Sequence, residues 1–179
     1  YQVPLLALRS DVQGISPNRL TARTSSTLEA VTGALSSGVR TYTSATTYTG
    51  LDGSGIGIAI LDSGIGNYNK AMNDDTGAIR VKRAVDFQKV GDATAVGAKD
   101  WTAGVDASVG MIPGSAAMAT YESNIDSTGA KLRDPYGHGS HVASIAAGRG
   151  YFQSPDASGV APKANLYDVK VLDSRGYGQ

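Results

Sequence analysis

The chain has 179 residues, enough for one domain with its own core, and its 16 basic and 16 acidic side chains cancel to a formal net charge of zero. That balance offers no basic excess for nucleic acid or an anionic membrane surface. The absence of cysteine excludes zinc ribbons, thiol catalysis and disulfide frameworks, while 23 glycines, roughly 13% against a usual ~7%, imply many tight turns and close backbone contacts.

No basic n-region and no long apolar stretch opens the chain, so neither a signal peptide nor a membrane span is visible. The chain begins at Tyr1 and stops just after the strand-like run "VKVLDSRGYGQ", with no helix to follow it, and truncation at both ends is expected. "VPLLALRSDVQGISPNRL" reads as a short apolar element and a turn at Ser16-Pro17-Asn18; the Ser/Thr-rich stretch Thr21 to Thr27 reads as an exposed linker. "LEAVTGAL" predicts one or two helical turns, and "SSGVRTYTSATTYTG" predicts irregular chain. The apolar run Ile56 to Leu61 predicts a strand buried on both faces, and "IRVKRAVDF" at 79–87 a second strand. Residues 91–133, rich in Gly, Ala, Ser and Thr with little periodicity, read as a long surface insertion. Apolar positions at Val142, Ile145 and Ala146 predict a helix over 138–147 ended by Gly148, and "LYDVKVL" at 166–172 predicts a third strand. Strand, strand, helix, strand is the pattern of an α/β fold on a parallel sheet.

Two places carry chemistry. In "AILDSGIG" a buried strand ends at Asp62, where an open α/β sheet puts its sites; the plain alternative is that Asp62 caps a turn. A dinucleotide loop in "GSGIG" fails on order, since its glycines precede the strand instead of following it. The stretch "DPYGHGSHVASIAAG" holds both histidines of the chain, His138 and His141. Three readings compete there. The pair could hold a metal with Asp134 or Asp62 as third ligand, although the Glu of a His-Glu-x-x-His site is missing. One imidazole could be a catalytic base oriented by Asp62, with the other beside it as structure. Or both are ordinary surface histidines.

"GSGIGIAILDSGI", "DPYGHGSHVASIAAG" and "GVAPKANLYDVKVLDSRGYGQ" follow one another in this order, and together they closely resemble the subtilisin-like serine proteases. The resemblance covers 50–66 and 134–179 well and 79–87 loosely. It implies a subtilisin-like parallel sheet with flanking helices, incomplete at the C-terminus. It places Asp62 on the family's catalytic aspartate, His138 on its catalytic base, and His141 on a second histidine that packs and hydrogen-bonds near the site. Gly137 and Gly139 would keep the backbone bare where substrate and nucleophile approach. "LALRSDVQGISPNRL" resembles the end of the family's inhibitory propeptide, which implies a propeptide end and linker over 1–23 and the N-terminal part of the catalytic domain over 24–179, with the insertion at about 91–133.

Departures from the pattern are specific. Ser140 stands for the usual Thr, Ser144 for a Gly, and "GNYNKAM" replaces the stretch whose Asp binds calcium in many members; "NDDTG" at 73–77 is too short for a calcium loop. No cofactor is implied as required, and structural calcium elsewhere in the full-length protein stays open. The family's serine and oxyanion Asn belong downstream of Gln179. "PGSAAMAT" looks like the serine motif, but Ser115 lies between Asp62 and His138, in the wrong order. The resemblance thus implies a piece of a secreted, extracellular serine endopeptidase that hydrolyses polypeptides through an Asp-His-Ser triad. Its partners would be polypeptide substrates and its own propeptide as inhibitor, with no nucleic acid and no membrane. The 179-residue chain alone should be inactive. The alternative is a non-catalytic α/β binding or scaffolding domain derived from the family.

Overall fold

The computed structural model describes Ser10 and residues 27–44, 47–91, 112–130, 134–150 and 158–178. The expected turn at Ser16-Pro17-Asn18, the linker at 21–26 and most of the first half of the insertion lie outside the described residues. Helix α1, Thr27–Val31, is followed by an antiparallel hairpin of β1, Arg40–Tyr42, and β2, Tyr48–Gly50. Strand β3, Gly57–Asp62, leads through a 3-10 turn at Lys70–Met72 to β4, Val81–Asp86, and a second 3-10 turn at Phe87–Gly91. Helices α2, Ala116–Ile125, and α3, His138–Ala147, precede the last strand β5, Asn165–Lys170.

The three longer strands form one parallel sheet in the order β3-β5-β4. This is the α/β arrangement expected. Strand residues alternate between faces, so Ile58, Ile60 and Asp62 share a face with Leu166 and Asp168, and α3 packs on it. The core there is Ile60, Ile65, Met72, Ala143, Ala147, Ala164 and Leu166. Its small alanines bring the helix close to the sheet. Arg80 closes the lower end: its buried guanidinium donates to the carbonyls of Ala71, Asn73, Ala147 and Ala164, tying the 3-10 turn, the end of α3 and the start of β5 together.

Three local expectations are corrected. β3 is not buried on both faces: Gly57, Ala59 and Leu61 face outward, Leu61 with 66% of its surface exposed, beside an exposed Tyr167. The "irregular" stretch contains the β1–β2 hairpin, stabilised by the edge-on rings of Tyr42 and Tyr48, 5.3 Å apart, and by Arg40, which donates to Glu29 and to the carbonyls of Leu51 and Val160. The insertion contains α2, whose polar and small residues give a weak apolar stripe that periodicity alone does not reveal. Gly148 ends α3 as expected, in extended backbone, and a Cβ there would lie 2.5 Å from the Ser144 carbonyl oxygen.

Candidate active site

Asp62 is the last residue of β3, so its carboxylate emerges where the sheet ends and the chain turns over α3. His138 is the first residue of α3. The two elements meet there: His138 Nδ1 stands 2.9 Å from Asp62 Oδ1 and 2.8 Å from Oδ2. An ionised carboxylate only accepts hydrogen bonds, so Nδ1 carries a proton, and in the neutral imidazole Nε2 is the nitrogen with the lone pair. Nε2 makes no hydrogen bond to a described residue, and the ring is half exposed while Asp62 is nearly enclosed. An imidazole fixed in this tautomer, with its free nitrogen facing outward, can accept a proton and hold the resulting charge against Asp62.

The dyad rests on a network that sequence reading missed. Helix α3 begins at Gly137, whose φ of 88° is left-handed and which has no side chain to cap the first turn. The first-turn N–H groups would otherwise lack partners. Asp134 takes two of the N–H groups here, that of Gly137 at 2.8 Å through Oδ1 and that of Ser140 at 2.8 Å through Oδ2. Ser63 takes another, Gly139 N–H at 3.0 Å, and donates its own hydroxyl to Asp134 at 2.8 Å. Burial disfavours the charge on Asp134, but the N–H groups of Ser140 and Gly137 and the hydroxyls of Ser140 and Ser63 outweigh it and hold its pKa below the usual carboxylate range. The signal was present in "DPYGHG" as an acid four residues before the first histidine. A metal ligand is the other reading of the same residue.

The loop after Asp62 is pressed against the helix. A Cβ on Gly139 would sit 2.2 Å from the Gly64 carbonyl oxygen, so this glycine serves the loop–helix approach rather than bare access for substrate. Ser140, standing where a Thr was expected, accepts the Gly66 N–H at 2.9 Å through its hydroxyl. Behind the loop, Asp168 Oδ2 accepts the Ile65 N–H at 3.1 Å.

Other candidates separate from the dyad. His141 is exposed, and its ring makes no hydrogen bond to a described residue, which corrects the packing role expected for it. No group of three or more His, Cys, Asp or Glu able to hold a metal occurs among the described residues. The Ser115 hydroxyl caps α2 by accepting the Met118 N–H at 3.1 Å. Asp74 in "NDDTG" is occupied by its own turn, accepting from Thr76 and Ala78. A groove of about 710 Å³ lined by Leu51, Ile56 and Val160 among others includes neither Asp62 nor His138. No described helix is long and apolar enough to cross a membrane.

The model of the Subtilase family matches residues 53–179. Among solved structures, the CspB protease of Clostridium perfringens is similar over 72% of this chain and 24% of its own, with 24% identity and a TM-score of 0.45. The chain therefore spans about a quarter of that protein's length.

Proposed function

Because the chain belongs to the Subtilase family, we propose that it is the aspartate- and histidine-bearing part of a serine endopeptidase that cleaves polypeptides by acyl transfer. The observation that carries this reading is the double contact of Asp62 with His138 Nδ1, which leaves Nε2 as the base. A serine supplied by sequence downstream of Gln179 gives its hydroxyl proton to Nε2 as its oxygen attacks the peptide carbonyl carbon. The carbonyl oxygen takes the negative charge, and Asp62 stabilises the imidazolium. His138 then returns the proton to the amide nitrogen as the C–N bond breaks. Water repeats the sequence on the acyl-enzyme, releasing the acid and the serine.

Residues 1–23 are, in this reading, the end of an inhibitory propeptide, and 24–179 part of the catalytic domain of a secreted enzyme. The acyl-transfer chemistry proposed here requires no cofactor. The test is made on the protein with its downstream sequence in place. Peptide hydrolysis and labelling by a fluorophosphonate are expected, both lost in His138→Ala. A well-folded protein that neither hydrolyses peptides nor takes the label would instead support a scaffolding domain.

A further inference from the structure

Asp168 has no part in the chemistry above, yet it occupies the middle of the sheet. It lies on β5 in register with Ile60 of β3 and Ala84 of β4, and only 4% of its surface is exposed. Oδ2 accepts the Ile65 N–H, and Oδ1 is buried without a hydrogen-bond partner among the described residues. Its two register neighbours are apolar, and an apolar residue at this position would avoid the cost of burying a carboxylate on a single N–H. The position gains a hold on one backbone N–H, three residues after Asp62.

That hold reaches the dyad through a segment with no slack. Asp62 to Ile65 is confined on one side by Asp168 and on the other by α3, where a Cβ on Gly139 would lie 2.2 Å from Gly64 O and 3.1 Å from the Asp62 Cβ. Ile65 itself is fully buried. We propose that Asp168 is a positioning residue: its ionised carboxylate clamps the Ile65 N–H and thereby fixes the reach of Asp62 to the His138 ring. The catalytic consequence rests on the serine-endopeptidase reading; the clamp itself does not.

Hydrogen bonds to a charged acceptor are about twice as strong as neutral ones, so the clamp loosens when Asp168 takes up a proton. Burial above all, with Asp86 on β4 and Asp134 ahead of α3, raises its pKa to about 6, against the Ile65 N–H and Lys170 on its own strand, which lower it. Its register partner on β3 is the apolar Ile60, with Asp62 two residues further along the same face, and the charged group acting on it from ahead of α3 is Asp134. The clamp is therefore set above pH 6 and released below it.

The test compares the parent with Asp168→Asn, which keeps an acceptor of the same shape but removes the charge, in the protein with its downstream sequence. At pH 8, kcat is expected to fall about tenfold with KM little changed, as for a small misplacement of a reacting group. The acid limb of kcat/KM should lose one proton of steepness. Tm at pH 8 should rise, because a buried charge has gone. One resonance reports without turnover: the Ile65 amide proton should shift with a midpoint near 6 in the parent and should not do so in Asp168→Asn. If no peptide is hydrolysed but the Ile65 resonance carries that step, the clamp stands and the endopeptidase reading fails. Equal acid limbs in the two proteins, a Tm that falls together with kcat, or an Ile65 resonance without the step would overturn the proposal.

Discussion

His138 keeps 55% of its side chain exposed and Asp62 only 11%, which is the division of labour a base and its orienting partner need. Substitution of either should cost several orders of magnitude in kcat in the serine-bearing protein, the family being one in which losses of that size are known. Asp62→Asn should be the milder of the two, since the ring stays in place but in the wrong tautomer. His141→Ala, by contrast, changes an exposed ring without a described hydrogen-bond partner, and Tm and kcat should both stay close to the parent. Active-site-titrated kinetics and thermal melts on the three variants decide this, and the reverse pattern would move the base to His141. Gly139→Ala should be severe for a different reason: its methyl group meets the Gly64 carbonyl, backbone against backbone, and neither side has a rotamer to change. Overpacking of this kind costs typically about 1–3 kcal/mol, and the melt of that variant should show it along with a loss of turnover.

Helix α3 starts in a left-handed glycine, and the N–H groups of Gly137, Gly139 and Ser140 are still satisfied, because Asp134 and Ser63 reach them from outside the helix. Asp134→Ala removes that cap and strands the Ser63 hydroxyl, so a loss of about 1–2 kcal/mol is expected, the range of helix caps. The sign of its pH dependence follows from the lowered pKa of Asp134. A carboxylate held below its unfolded value stabilises fully above that value, ~3.9, and the stabilisation is lost as pH falls through the folded pKa. The gap in Tm between parent and Asp134→Ala should then be constant from about pH 5 upward and close below about pH 4. A gap that widened in acid would mean that Asp134 is not ionised at the helix start. In the core, Leu166 is fully buried between β3 and β4 under α3. Leu166→Ala should cost about 2–5 kcal/mol.

Among the described residues, the outer face of β3 and of the middle of β5 is left uncovered. Parallel sheets are stable with both faces covered, yet Gly57, Ala59 and Leu61 of β3 and Tyr167 of β5 are open on the face away from α3. The 179-residue chain by itself should be marginally stable and prone to associate through that face. Leu61→Lys should lower its light scattering without changing the dyad; a cooperative melt of the unmodified chain, with strong amide protection across 57–62 and 165–170, would refute this. Global stability also carries the mark of Asp168. Its folded pKa of about 6 lies above the unfolded ~3.9, so the folded state holds the extra proton between the two and stability falls as pH rises through that window. In Asp168→Asn that decline should vanish.

Ordered polar and apolar patterns were enough to announce the parallel strands and α3, and three ordered motifs were enough to single out Asp62 and His138. Those signals are local: a buried strand, a small-residue helix and a short signature each lie within about ten residues. What stayed hidden was relational. Tyr42 and Tyr48 mark a hairpin only once Arg40 is seen to bind Glu29 on one side and Val160 on the other. Helix α2 lacks the apolar stripe by which helices are recognised, and Ser115 explains itself only as its cap. Asp134 and Asp168 are single acids in unremarkable strings, and their meaning is which N–H each one meets. The pairing of Asp62 with His138 was legible because residue type and order carry it; the geometry that makes it a dyad, a loop held between Asp168 and the start of α3, exists only where segments about 100 residues apart in sequence are packed together. A hydrogen bond depends on position within a few tenths of an ångström, and only the folded chain fixes that.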